Sequence, residues 1–108
     1  MDYSVELTDD AERDLEDIFD YVEQRDTQAQ ANQLLEEIAQ VVGSLSQFPN
    51  RGRVQSELLD HGIDRYRETI HKSYRIIYEV KDEVVYVLLI SDGRREMQDL
   101  LFQRVILA

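Results

Sequence analysis

Cysteine is absent from this 108-residue chain, which excludes a disulfide framework and any thiolate metal site. That absence suits a reducing compartment, and a cytoplasmic location is the expectation. Long apolar runs are missing as well. No stretch approaches the roughly 20 residues that a membrane-crossing helix needs, so no membrane association is expected. Met1-Asp2-Tyr3-Ser4 has neither the basic start nor the apolar core of an export signal. Glycine is scarce, with four residues and no cluster, so there is no Gly-rich loop to cradle phosphate. The two histidines, His61 and His71, are far apart and fit no HExxH-like spacing, so they make no metal site unaided. No Ser/His/Asp set stands out. Neither metal nor cofactor is expected.

Positive charge is the other shortage. Lys and Arg number 12 against 23 Asp and Glu, a formal net charge of −11. Residues 1–50 hold two cations, Arg13 and Arg25, against thirteen acids, so this half carries the whole excess. Residues 51–108 hold ten of each sign and balance. An acidic half repels phosphates and disfavours general nucleic-acid binding. It reads as a solvated face that keeps the protein soluble. An acidic or anionic partner would meet the second half, where the basic residues are.

The composition that remains is globular. Hydrophobic residues make up 43%, enough for a packed core, and the length suits one domain over 1–108. Tyr3–Leu7 alternates and predicts a strand over 3–7. Thr8, Asp9 and Asp10 follow as an N-cap and acids suited to a helix start. Ala11, Leu15, Ile18 and Val22 then recur at helical spacing, predicting a helix over about 9–24. Ala31, Leu34, Leu35, Ile38, Val41, Val42 and Leu45 predict a second over about 27–47. Phe48-Pro49-Asn50 stops it, because a residue before proline avoids the helical region. The short link between them predicts an antiparallel hairpin.

Arg51–Ile63 shows no clear period and reads as a crossing loop. Arg65–Ile90 reads as a three-stranded meander over about 64–71, 73–81 and 84–91. Tyrosines and β-branched residues fill it, and Lys81-Asp82-Glu83 supplies a polar turn. Tyr74, Ile76, Tyr78 and Val80 share one face of the middle strand, and Arg75, Ile77 and Glu79 the other. Val84–Ile90 is apolar throughout, so both its faces should be covered. Ser91-Asp92-Gly93 reads as a turn. Met97, Leu100, Leu101, Val105 and Ile106 predict a final helix over about 94–106. The fold class is α+β: an N-terminal strand, a helical hairpin packed on a mainly antiparallel sheet, and a C-terminal helix.

The arginines are the candidate functional residues. Arg65, Arg67 and Arg75 fall on neighbouring strands, and Arg94-Arg95 follows the last one. Their guanidiniums could converge on one sheet face or edge, where Arg binds carboxylate or phosphate bidentately. They could equally pair with the chain's own acids.

Element order and several segments resemble the RelE/ParE superfamily of bacterial type II toxins. The resemblance lies in Ala11–Ile18 with Tyr21, in Phe48-Pro49-Asn50-Arg51-Gly52-Arg53, in Arg65-Tyr66-Arg67-Glu68, in Tyr74-Arg75-Ile76-Ile77-Tyr78, and in Ser91-Asp92-Gly93-Arg94-Arg95. It implies a toxin neutralised by a small antitoxin in a hetero-oligomer. Arg65, Arg67, Arg75, Arg94 and Arg95, by their placement on and just after the meander, are the expected functional surface. The superfamily has two activities. The RelE-like branch cleaves mRNA on the ribosome with basic sheet residues, which Arg67, Arg75 and Arg95 match by position, and with a C-terminal Tyr, which falls at Leu101-Phe102 here. That leaves no group to exchange a proton, and Arg is a poor acid or base. The ParE-like branch inhibits DNA gyrase by protein contact and needs no catalytic set. The opening helix and Phe48–Arg53 look more like this branch. The alternatives are the mRNA endonuclease and a non-toxic binding module of the same fold.

Overall fold

The computed structural model describes residues 2–107. Strand β1 (Ser4–Leu7) leads into helix α1 (Asp9–Arg25), capped by Thr8, whose Oγ1 accepts from the Ala11 amide at 3.1 Å. Helix α2 (Gln28–Ser44) starts behind Thr27, which caps Gln30 in the same way. A capped helix start satisfies amides that otherwise lack a partner. The second helix stops three residues short of the expected 47. Ser44 Oγ donates to the Val41 carbonyl at 2.6 Å, and the chain tightens through Leu45 N–Val42 O, Ser46 N–Gly43 O and Gln47 N–Ser44 O bonds. Gly43 and a back-bonding serine both weaken the last helical turn.

The sheet has five strands in the order β1-β5-β4-β3-β2, the expected N-terminal strand and meander with one further short strand. The meander itself is present as β3 (Tyr66–His71), β4 (Tyr74–Lys81) and β5 (Val84–Asp92), all antiparallel. Strand β1 adds to it in parallel, Ser4 opposite Val84 and Leu7 opposite Val87. The expected loop over 51–63 contains β2 (Arg53–Val54), paired with Glu68 and Arg67, and a single helical turn, α3 (Ser56–Leu59). Two residues are too few to show a strand period, so the sequence pattern could not reveal β2. Arg65 lies before β3, not on it.

Asp82 and Glu83 take φ of 53° and 66°, closing the β4–β5 hairpin with the two left-handed residues that match strand twist. On β5 the register jumps: Ile77 faces Leu89 and Tyr78 faces Val87. Leu88 is therefore an unpaired bulge, and it changes which side chains reach each face. Val85, Val87 and Ile90 pack with Ile76 and Tyr78 against Ala11, Leu34, Ile38, Val42 and Leu45 of the hairpin side. Leu89 packs on the other face with Ile77, Tyr66, Leu58, Met97 and Leu101. Both faces of β5 are thus covered, as its apolar run predicts.

The expected helix over 94–106 is shorter and divided. Helix α4 spans Met97–Leu101, and Phe102–Ile106 continues as a π-helical turn. Arg94 and Arg95 lie in the connection before it, where the Asp92 carboxylate accepts the Arg94 amide at 3.0 Å and Glu96 caps Gln98. Among the described residues no helix is long and apolar enough to cross a membrane.

Candidate functional site

The structure divides the expected arginines between the two faces of the sheet and the α1–β5 cleft, which Arg94 and Arg95 share. Arg67 lies opposite Tyr78, so it stands on the hairpin face of the sheet, where its Nη1 donates to the Gly52 carbonyl at 2.7 Å. Arg75 is an odd number of residues from Tyr78 on β4 and so stands on the opposite face. There it is held by two carboxylates. Nη2 reaches Glu57 at 2.7 Å and Glu68 at 2.6 Å, while Nε donates to Glu68 at 3.0 Å. Gln55 Nε2 donates to Glu68 at 3.2 Å and its Oε1 caps the Leu58 amide of α3 at 2.8 Å. The Glu68 side chain is 2% exposed and that of Arg75 16%. Arg75 holds the Glu57 carboxyl below its ordinary value, and Glu57 with Glu68 raises the Arg75 guanidinium further above its own. An Arg with its fork filled this way joins α3 to β3 and β4.

Arg65 pairs with Glu79 at 3.0 Å and lies over the Tyr66 ring, 4.8 Å from its centroid. Arg94 and Arg95 stand at the rim of a cleft of about 480 Å³ between α1 and the end of β5. Ile18 and Ile90 line it with Tyr21 and Tyr74, and Asp14, Asp17, Ser91 and Asp92 supply its polar groups. Arg94 Nε donates to Asp92 at 3.0 Å and keeps that carboxyl low. Partial burial and Asp92 push the Tyr74 hydroxyl upward. Arg95 makes no ion pair among the described residues.

The neighbouring end of the cleft depends on a residue that sequence reasoning did not single out. Strand β1 ends at Leu7, so β5 beyond Val87 has no neighbour on that side. Asp14 on α1 accepts the Ile90 amide at 3.0 Å, and Arg104 Nη1 donates to the Leu88 carbonyl at 2.8 Å. Arg104 also bonds both Asp14 oxygens. This pair caps the open strand edge and ties the π-helical turn to α1. Its partners are 90 residues apart, which no local pattern could signal.

The Phe48–Arg53 segment is pinned from below. The Gly52 amide donates to the hydroxyl of Tyr78, which is completely buried, at 3.0 Å. A Cβ at position 52 would stand 2.6 Å from the Glu68 carbonyl oxygen and 2.7 Å from that hydroxyl. Glycine is required here by close approach. The segment's outer side chains remain in solvent: Phe48 is 61% exposed and the Arg53 side chain 76%.

At the position expected for a C-terminal Tyr, Leu101 is buried at 2% exposure and Phe102 is half exposed. Neither side chain exchanges a proton. No group of three His, Asp or Glu residues arranged to hold a metal exists among the described residues.

With this geometry in place, the likeness to known proteins is specific. A chain of the chromosomal ParDE TA system from P. aeruginosa is 21% identical, with a TM-score of 0.69, over 83% of this chain and 95% of that one. A chain of the RelBE2 toxin-antitoxin complex from Mycobacterium tuberculosis is 22% identical, with a TM-score of 0.64, over 85% and 92%. At those identities the likeness establishes the fold alone. No curated protein matches the chain. The family described as "ParE toxin of type II toxin-antitoxin system, parDE" matches residues 5–97, and the chain belongs to that family.

Proposed function

We propose that this toxin arrests DNA gyrase by protein contact and is neutralised by a small cognate antitoxin. The observation that carries the reading is Arg75. Its guanidinium is filled by Glu57 and Glu68, on the face of the sheet opposite Arg67, and Leu101-Phe102, the position matching the C-terminal Tyr, carries no group that exchanges a proton. General acid–base cleavage of RNA needs a positioned group that gains and loses a proton, whereas contact inhibition needs only a surface. A net charge of −11 also opposes entry into an RNA-rich site. Family membership supports the toxin role, and the P. aeruginosa and M. tuberculosis structures, toxin–antitoxin assemblies by name, support an antitoxin partner.

Purified gyrase tests the reading. Supercoiling should fall and linear DNA accumulate as the protein is added. Undisturbed gyrase together with cut mRNA in a ribosome assay would replace it with the endonuclease reading, and Arg67, Arg75 and Arg95 would become the catalytic candidates. Binding of an antitoxin without either effect would leave a non-toxic binding module.

A further inference from the structure

The Phe48–Arg53 segment has a construction that core packing does not explain. Its inner half is fixed at three points. Gly52 bonds the buried Tyr78 hydroxyl through its amide and Arg67 through its carbonyl. Arg51 Nη1 reaches Ser44 Oγ at 2.6 Å, and the Arg51 amide returns to the Phe48 carbonyl at 3.1 Å. Burial raises the Tyr78 hydroxyl above its ordinary value, so it stays a neutral partner for Gly52. The outer half spends that order on solvent-facing groups. Phe48 is the most exposed aromatic residue of those described, and Arg51 and Arg53 are exposed beside it.

We infer that Phe48, Arg51 and Arg53 form the contact surface for the toxin's protein target, and that the target presents an apolar pocket bordered by carboxylates. An aromatic side chain flanked by arginines is the composition of binding hot spots. Fixing it before contact lowers the ordering cost of association. Charge complementarity selects an acidic protein surface. Arg53 approaches a carboxylate only at 4.0 Å, from Glu68, and Arg51 spends one nitrogen on a neutral hydroxyl, so both retain capacity for an acid. A nucleic acid brings a phosphate charge at every nucleotide against the −11 of the whole molecule, whereas a pair of carboxylates at the loop brings only two like charges against two arginines.

This inference deepens the contact-inhibitor reading, and the experiment separates the two. Phe48→Ala/Arg53→Ala is compared with the natural chain for growth arrest on expression, gyrase inhibition in vitro, antitoxin affinity and melting temperature. The variant should lose growth arrest and require at least roughly tenfold more protein for inhibition, with antitoxin affinity and melting temperature unchanged. Benzoylphenylalanine at position 48 should photo-crosslink to a protein in arrested cells, a readout independent of the alanine variant's folding. Growth arrest that depends on position 48 while gyrase is unaffected would refute gyrase as the target and keep the surface. Undiminished arrest by the variant would overturn the surface. So would loss of antitoxin binding alone, crosslinking to RNA instead of protein, or a natural chain that arrests nothing.

Discussion

Replacing Arg75 with alanine should damage stability more than any other arginine substitution on the sheet. The change removes a guanidinium that bonds Glu57 and Glu68 within 2.6–3.1 Å. Breaking a buried pair by deleting one partner costs about 3–5 kcal/mol, because the other charge stays buried. Here the two acids respond differently. The Glu57 side chain is 23% exposed and turns toward water. Glu68, at 2%, keeps Gln55 as its neighbour and Arg53 at 4.0 Å. The lower end of the range, about 3 kcal/mol, therefore applies. In a chain of this size that corresponds to a melting temperature roughly 12–20 °C lower, out of a total stability of about 5–15 kcal/mol. Arg94→Ala, by contrast, removes an exposed guanidinium and should leave the melting temperature nearly unchanged.

Calorimetry on Arg75→Met, Glu68→Gln and the double variant supplies the check, with a coupling of about 1–3 kcal/mol for residues in one network. The pH dependence is a second one. Arg75 depresses the folded-state value of Glu57 below the ordinary 4.5, so that contribution is complete above 4.5 and is lost as pH falls through the lowered value. The gap between natural chain and Arg75→Ala should narrow in that acidic window. A drop of less than about 4 °C at neutral pH, or strictly additive single variants, would refute the buried-network account and return Arg75 to the surface.

Three further outcomes follow from the same geometry. Gly52→Ala should cost about 1–3 kcal/mol in thermal unfolding, since its Cβ would collide with the Glu68 backbone at 2.6 Å and not with a movable side-chain tip. Arg104→Ala should leave the Leu88 carbonyl and the Asp14 carboxylate short of a partner, costing about 2–3 kcal/mol, and amide exchange at Ile90 should quicken as Asp14 loosens. Glu37, bonded to Gln33, Lys72 and His71, has a value lowered to about 2. Its stabilisation is present above 4.5 and disappears on acidification toward 2, so Glu37→Gln should flatten the acid limb of the melting curve between those values.

Local periodicity made the helices and the meander readable, because each buries one stripe or one face within a single run of sequence. The alternation of Tyr74, Ile76, Tyr78 and Val80 places those side chains on the hairpin side, as the structure has them. What stayed hidden depends on pairing between distant segments. Strand β2 exists because Arg53 and Val54 meet β3, and two residues carry no period. The Leu88 bulge rests on a register jump between strands, invisible in a uniformly apolar run. The final helix starts only at Met97, because the Asp92 carboxylate takes the Arg94 amide and Glu96 caps Gln98. The arginines were legible as residues but not as partners. Spacing put Arg67 and Arg75 on adjacent strands without revealing that α3 would bring Glu57 under Arg75.

The distribution of those partners bears on function more than the count of charges does. Four of the second half's ten cations are tied to acids of other segments: Arg65 to Glu79, Lys72 to Glu37, Arg75 to Glu57 and Glu68, and Arg104 to Asp14. A cation paired at 2.5–3.0 Å with a half-buried acid has little field left for a phosphate, so the −11 charge is not offset by a basic face anywhere that these pairs lie. Among the second-half cations without a close ion pair are Lys81 at the β4–β5 turn, Arg95 at the α1–β5 cleft, and Arg51 with Arg53 on the pinned loop. Arg95 lines that cleft together with the exposed Tyr21, and Arg51 and Arg53 flank the exposed Phe48. A protein built this way discards long-range attraction to nucleic acid and retains two short-range surfaces suited to other proteins. Under the proposed contact-inhibitor reading, antitoxin and target would each take one of these surfaces. The double variant at Phe48 and Arg53 and its counterpart at Tyr21 and Arg95 should therefore separate target inhibition from antitoxin affinity. If both variants impair the two activities equally, the surfaces are not distinct and the division of labour between them fails.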